Sequence, residues 1–267
     1  MPELSDTYEI YAIKYARLDR PARDNFLGGD PHDVNMPIDY YVWAIVGEHR
    51  TFCVDTGFDE ESGARRGRRI ITPPAEGLKA VGVDPETVED VIMTHMHYDH
   101  AGNHTMFPKA KYHLQDSEMA YCTGRYMCHH AMNHPYDVEH VTGMIRNIYQ
   151  GRVQFHDGTA ELAPGVTIHR VGGHSDGLQV VRVRTKRGWV ILASDATHFY
   201  ANMDERRPFP ILHNLGDVLE GYETLKALAT SHSHIVPGHD PLVLDRYPSP
   251  NEAMKGWIVR VDTQPVS

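Results

Sequence analysis

The strongest constraint on the fold of this chain lies between residues 90 and 100, where a short apolar run is followed at once by four metal-capable side chains. The run is Val91-Ile92-Met93, and the side chains are His95, His97, Asp99 and His100. Crowding imidazoles and a carboxylate together is costly unless a cation neutralises the carboxylate and occupies the imidazole lone pairs. Helix caps at Thr94 and Asp99 beside surface histidines are the alternative. The density of donors favours a metal site at the end of a buried strand.

The spacing of these donors also predicts on which side of the backbone each side chain lies. Extended backbone beyond a strand places alternate side chains on one side, so we expect His95, His97 and Asp99 to converge. His100 has the opposite parity and would reach a second ion only if the chain turned into a helix near residues 101–103. The adjacency of Asp99 and His100 therefore suggests two metal ions.

Three later fragments share one local form, in which a β-type run enters a turn of small residues that presents one candidate ligand. Glycine in such turns lets backbone segments approach closely, so the ligand can point into a cleft at the ends of the strands. Each fragment alone is weak evidence, but these three together with the string at 95–100, in this order, predict a common site. The fragments are Gly172-Gly173-His174, Ala193-Ser194-Asp195 and Pro237-Gly238-His239.

With these residues the chain resembles the metallo-β-lactamase superfamily and, within it, the N-acyl homoserine lactone lactonases. The resemblance rests on the His-x-His-x-Asp-His string at 95–100, on the three later ligands, and on Phe52-Cys53-Val54-Asp55-Thr56-Gly57, which matches the family's early strand and Asp-Thr-Gly signature. It spans about residues 37 to 245. It implies an α/β fold, the four-layer αββα sandwich; periodicity alone indicates only mixed α/β.

The resemblance also implies a role for each ligand. One metal ion would be held by His95, His97 and His174, the other by Asp99, His100 and His239, and Asp195 would bridge them. The cofactors would be two divalent ions, zinc foremost, although iron, manganese and cobalt also accept imidazole and carboxylate donors. Asp55 would orient ligands rather than bind metal, or would simply be a turn residue before Gly57.

One position departs from the lactonase pattern. The lactonases typically carry a tyrosine three residues after the bridging aspartate, where it hydrogen-bonds the lactone; here that position is His198, and Tyr200 follows two residues later. Either side chain is a candidate donor to the developing oxyanion; the alternative is that His198 is a structural residue of the helix or loop after the strand. The third catalytic candidate is Asp99, as carrier of a proton to the leaving group.

The expected function is a dinuclear metal-dependent hydrolase that opens the ester ring of a lactone, foremost an N-acyl homoserine lactone (quorum quenching), by attack of a shared hydroxide. Three alternatives stay open. They are another lactone or ester hydrolase of the superfamily, a thioester hydrolase like glyoxalase II, and a persulfide dioxygenase with one iron held by His95, His174 and Asp195.

The composition of the chain limits the classes of partner that it is expected to bind. The chain has 267 residues and a formal net charge of −10, which argues against nucleic acid because phosphate-binding surfaces need clustered Lys and Arg. The basic run Arg65-Arg66-Gly67-Arg68-Arg69 is interpreted as a solvated loop. No membrane partner is expected, since no long apolar run exists. Three cysteines without framework spacing and no signal peptide in Met1–Asp6 favour a cytoplasmic location. A homodimer is implied by the resemblance only.

The chain is expected to form a single domain over 1–267, with about 116–155 inserted as a cap or lid. The stretch Cys122–Tyr149 is rich in aromatic, Met and His residues, which make adaptable walls for a substrate pocket. A third metal site from Cys122, Cys128, His129 and His134 is an alternative, although that spacing fits no standard zinc module. Elsewhere we expect an edge strand over Tyr8–Tyr15 and hairpins within Ile38–Asp55 and Val180–Ala193.

Overall fold

A computed structural model describes residues 7–266; Met1–Asp6, where no signal peptide is expected, lies outside the described residues. Twelve strands form two sheets within that range. They are β1 Glu9–Leu18, β2 Ile38–Val46, β3 Thr51–Val54, β4 Asp90–Ile92, β5 Lys111–Gln115, β6 Val153–His156, β7 Thr159–Ala163, β8 Val166–Arg170, β9 Gln179–Thr185, β10 Gly188–Ser194, β11 Ile235–Pro237 and β12 Ile258–Arg260.

The first sheet has the strand order β12-β1-β2-β3-β4-β5-β6, and the second has the order β11-β10-β9-β8-β7. Nine α-helices accompany them in the described residues. They are α1 Glu60–Arg65, α2 Pro74–Ala80, α3 Tyr98–Ala101, α4 Asp116–Cys122, α5 His130–Asn133, α6 Val138–Tyr149, α7 Tyr200–Asp204, α8 Leu215–Leu228 and α9 Leu242–Arg246.

Strand alternation divides the apolar side chains between layers. On β2, Tyr41, Trp43 and Ile45 point into a core shared with Val181 and Val183 of β9, so the two sheets pack face to face. The opposite side chains of β2, among them Tyr40 and Val42, pack against the helical layer that contains Leu78 of α2 and Met144 of α6. Burying both faces explains why β2 carries only aromatic and aliphatic side chains from Tyr40 to Val46.

The second sheet is covered in the same way. Val180 and Ile191 face outward from it onto Val218, Tyr222 and Leu225 of α8. Each sheet therefore has one face on its partner sheet and one on helices, which confirms the predicted αββα sandwich. The two predicted hairpins are present as β2–β3 and β9–β10.

Two details differ from expectation. Strand β1 is longer than predicted and is not an edge, because the C-terminal strand β12 pairs with it and takes the outer position. Much of the expected lid is part of the sandwich: β6 extends the first sheet beside β5, and α6 packs its apolar face into the outer core. A separate finding concerns membranes: between residues 7 and 266 no helix has the length and apolarity needed to cross one.

Candidate metal centre

The candidate ligands lie where the carboxyl ends of several strands meet. Strands β3 and β4 are parallel neighbours in the first sheet, as are β10 and β11 in the second, and β8 runs in the same direction as β10. The residues after these strands thus come to one edge of the sandwich. The close approach needs small residues: a Cβ on Gly238 would lie 2.6 Å from the carbonyl oxygen of Ser194.

The donors form two groups rather than one row. His95, His97, His174 and Asp195 bring ligand atoms within 4.8 Å of one another, and so do Asp99, His100 and His239. The expectation that Asp99 points the same way as His95 and His97 is wrong. Helix α3 begins at Tyr98, directly after the extended His97, and its rotation of about 100° per residue turns Asp99 and His100 toward His239.

Asp195 lies between the two groups, with one carboxylate oxygen facing each. Its Oδ2 is 3.1 Å from Nε2 of His174 and 3.8 Å from Nε2 of His95. Its Oδ1 is 3.3 Å from Nε2 of His100 and 3.1 Å from Nε2 of His239. Burial alone would raise the pKa of this carboxyl, but the surrounding imidazoles hold the pKa well below its usual range. The arrangement matches what a carboxylate shared by two cations requires.

The donor set fits divalent metal ions. Nε2 of His95 and Nε2 of His100 are buried without any hydrogen-bond partner, which is costly unless a cation uses their lone pairs. Nδ1 of His97 and Nε2 of His174 lie only 2.9 Å apart, so both point at the same small volume. Burial, together with neighbouring imidazoles, lowers the pKa of His95 and His97, which keeps them neutral as metal ligation requires.

The far ring nitrogens of His95, His100, His174 and His239 are hydrogen-bonded, which fixes the orientations of these rings. Nδ1 of His100 lies 2.7 Å from Oδ2 of Asp55, and Asp55 also accepts hydrogen bonds from the backbone N–H and hydroxyl of Thr94. Nδ1 of His174 and Nδ1 of His239 contact the carbonyl oxygens of Ile211 and Asp39. Asp55 thus orients ligands; it also makes the turn, with φ of 60° in the left-handed region.

Glu118 is a functional candidate that the sequence analysis missed. This buried carboxylate on α4 accepts hydrogen bonds from the backbone N–H of Met96, between His95 and His97, and from Ser175 Oγ and the N–H of Gly177, beside His174. It therefore ties together two of the ligand loops. Nothing near Glu118 in the chain indicates this role, because its partners come from about 20 and 60 residues away.

His198 and Tyr200 have different surroundings. Nε2 of His198 is 3.1 Å from Oδ2 of Asp195, and the ring stacks on Phe209 with centroids 3.7 Å apart. His198 also belongs to a third possible donor group with Asp195 and His239. Tyr200 instead packs in the core between the sheets, under the guanidinium of Arg246. Of the two candidate oxyanion donors, only His198 lines the cavity.

A cavity of about 330 Å³ opens onto this centre. From the expected lid, only His134 and Pro135 line it. The interpretation of the basic run as a solvated loop is corrected for two residues: Arg66 and Arg68 line the cavity, while Arg65 and Arg69 are exposed.

The alternative third metal site is not supported, since the metal-capable groups among residues 7–266 omit Cys122, Cys128, His129 and His134. All three cysteines are free.

Comparison with known proteins identifies the family. A family model described as the metallo-beta-lactamase superfamily matches residues 37–245. The chain belongs to the metallo-β-lactamase superfamily. This confirms the predicted family and the predicted class of metal-dependent hydrolase.

Relatives within the superfamily confirm the resemblance to lactonases. An N-acyl homoserine lactonase of Bacillus cereus is 27% identical over 191 residues, which cover 66% of this chain and 70% of that protein. A solved quorum-quenching N-acyl homoserine lactone lactonase superposes with a TM-score of 0.74 at 23% identity, covering 89% of this chain and 94% of its own. AidC, a dizinc quorum-quenching lactonase, has a TM-score of 0.67 at 15% identity, with coverages of 88% and 91%.

The role of Glu118 can be tested by Glu118→Gln. A glutamine amide presents an NH₂ group to donors that now face a carboxylate oxygen, so we expect a loss of roughly 1–3 kcal/mol of stability. Because both ligand loops lose an anchor, metal affinity should fall by roughly 10–100-fold. Denaturant unfolding and metal titration against a competing chelator measure the two effects. Glu139→Gln, at an exposed position of α6, is the control; equal metal affinity in both variants would remove the positioning role.

Proposed function

We propose that this protein is a dinuclear metal-dependent hydrolase that opens the ester ring of a lactone. The proposal depends mainly on the position of Asp195, whose two carboxylate oxygens face two separate groups of metal-capable side chains. The seven proposed ligands are His95, His97, Asp99, His100, His174, Asp195 and His239. Relatives named as lactonases support a lactone substrate, and a neighbour named as dizinc supports zinc as the metal.

Different residues of this chain would carry out different parts of the hydrolysis. Bound divalent ions supply a deprotonated water near neutral pH and polarise a carbonyl group. Asp195 keeps the two donor groups apart at a fixed separation, and the imidazoles of His95, His100, His174 and His239 give their second nitrogens to the anchoring contacts. Asp99 and Asp195 both line the cavity, but Asp99 is the more exposed, so Asp99 would take the proton that the attacking water loses and pass it to the leaving alkoxide. His198 presents a ring nitrogen to the carbonyl oxygen as negative charge develops.

N-acyl homoserine lactones are the first substrates to consider, because the curated relatives carry that name. A thioester hydrolase like glyoxalase II would use the same ligands, and a persulfide dioxygenase would need one iron only. The second donor group of Asp99, His100 and His239 favours the two-metal hydrolase over the dioxygenase. A cytoplasmic location, a homodimer, a single domain and the absence of nucleic-acid and membrane partners stay predictions.

Metal removal tests the hydrolase. Stripping the protein with a chelator should abolish opening of N-hexanoyl homoserine lactone, and zinc should restore it. Iron, manganese and cobalt are the comparison ions. A thioester and a penicillin, assayed on the same sample, identify the reaction class. Faster turnover of the thioester than of any lactone would contradict the lactonase proposal.

Asp99→Asn tests the proton carrier. The amide keeps the shape of the side chain but cannot carry the proton, so kcat should fall by roughly 10²–10⁴-fold while the fold is retained. Circular dichroism and metal content accompany the kinetics, because Asp99 is also a proposed ligand. An undiminished kcat with both metals bound would exclude the proton-carrier role.

The choice between His198 and Tyr200 is tested with two variants. We expect His198→Phe to lower kcat by roughly 10²–10³-fold, the usual cost of losing one oxyanion donor, with two metal ions still bound. Tyr200→Phe should keep kcat, since its ring lies between the sheets. Loss of one ion from His198→Phe would show that His198 is a ligand instead, and a larger loss of kcat in Tyr200→Phe would reverse the assignment.

A further inference from the structure

Three guanidinium groups, those of Arg20, Arg66 and Arg68, line the cavity beside the candidate metal centre. Within residues 7–266 none of the three forms an ion pair with a carboxylate, and their hydrogen bonds go to carbonyl and phenol oxygens. Their neighbour Arg65, by contrast, pairs with Glu61 and Asp137. In the part of the chain that the structure describes, these three guanidinium groups thus have no carboxylate within ion-pair distance, although Asp24, Asp99 and Asp195 also line the cavity.

Two of these arginines lie one aromatic ring away from the centre. Arg20 is over the ring of Phe209 at 5.1 Å, and Phe209 stacks on His198. On the other side, Nε of Arg68 donates to the hydroxyl of Tyr40 at 3.3 Å, and the Tyr40 ring meets His239 edge-on at 5.3 Å. The two guanidinium groups therefore approach the cavity from different chain segments, and each is separated from a proposed catalytic or ligand side chain by a single ring.

Arg66 has a different function in the cavity wall. Its guanidinium donates to the carbonyl oxygens of His134 and Tyr136 and lies 4.1 Å from the centroid of the Tyr98 ring. Both of its terminal nitrogens thus hold the loop that precedes α6. Arg66 adds positive charge to the cavity, while Arg20 and Arg68 each keep one terminal nitrogen without a protein acceptor among the described residues, Nη1 in Arg20 and Nη2 in Arg68.

The two available arginines have different electrostatic surroundings. Burial acts to lower the pKa of Arg68, but the phenols of Tyr40 and Tyr98 outweigh it and raise that pKa. Burial lowers the pKa of the Arg20 guanidinium, and the charge of Arg68 acts in the same direction, while the Asp24 carboxylate opposes both. Asp24 also lines the cavity, but its carboxylate forms an exposed ion pair with Arg23 at 4.0 Å. Like charges held together in a half-buried wall are unfavourable unless an anion joins them, and the planar arginine fork suits the oxygens of a carboxylate or phosphate.

We propose that the substrate carries an oxyanion besides its scissile ester, and that Arg20 and Arg68 bind this group about one ring width from the reacting carbonyl. The substrate class is a compact anionic lactone, with a carboxylate as the first candidate, in keeping with a cavity of about 330 Å³. This inference rests on the proposed lactonase function and narrows its substrate. Neutral N-acyl homoserine lactones are then secondary substrates.

A matched substrate series tests the inference. The probes are a γ-butyrolactone with a γ-carboxylate, the same lactone with a γ-carboxamide, a γ-phosphomethyl lactone, and N-hexanoyl homoserine lactone. We expect kcat/KM for the carboxylate to exceed that for the carboxamide by at least about tenfold, mainly through KM, and to fall with added salt. The phosphomethyl lactone tells whether the oxyanion is a phosphate instead. Equal kcat/KM for the charged and neutral lactones would overturn the inference and leave the lactonase function standing.

Variants locate the binding groups. Arg68→Gln and Arg20→Gln should each reduce the carboxylate-to-carboxamide selectivity by about tenfold or more, and Arg68→Lys should restore part of it, since lysine keeps the charge and loses the fork. Arg69→Gln, the exposed neighbour, is the control and should keep the selectivity. Unchanged selectivity in both Arg68→Gln and Arg20→Gln would contradict the assignment.

A binding measurement separates this inference from the catalytic proposal. Titration calorimetry with glutarate should show binding to wild-type protein that Arg20→Gln and Arg68→Gln weaken and Arg69→Gln does not. If glutarate binds in this manner but no lactone is opened, the anion site stands and the lactonase function fails. If lactones are opened and no dianion binds, the function stands and the anion site fails.

Discussion

The position of the Asp195 carboxylate between two clusters of imidazoles is the contact on which the rest of the site depends. In a buried setting a lone carboxylate would favour its neutral form, yet here it is surrounded by imidazoles on both sides. One oxygen faces His174 and the other faces His239, so the same group belongs to both halves of the centre. The two oxygens also face His95 and His100, which follow β4 of the first sheet, whereas Asp195 follows β10 of the second. The site therefore exists only when the two sheets are packed together.

The loops around the centre are held by contacts that bind no metal. Asp55 joins the end of β3 to His100 and Thr94, and Ser194 donates to the hydroxyl of Thr94 across the two sheets. Glu118 joins the loops of the first group from the other side. Asp55 and Ser194 both adopt positive φ, which costs energy at a non-glycine residue and occurs where a strand must turn sharply into a functional site.

Much of this organisation could be predicted from the sequence. Strand periodicity predicted the two hairpins, and the strand-then-small-residue pattern predicted which residues meet at one edge. The direction of Asp99 was predicted wrongly from parity, because the point at which α3 begins is not visible in the apolar pattern. Glu118 and the cavity-facing Arg66 and Arg68 were missed for a common reason: their surroundings come from distant segments, and no local pattern reports a partner that tertiary packing supplies.

Anomalous X-ray diffraction from crystals of active, metal-replete protein tests the central claim most directly. A shared Asp195 predicts two anomalous peaks for each chain, about 3.5–4 Å apart. One should lie among His95, His97 and His174, and the other among Asp99, His100 and His239. A single peak in protein that opens lactones at full rate would contradict the account.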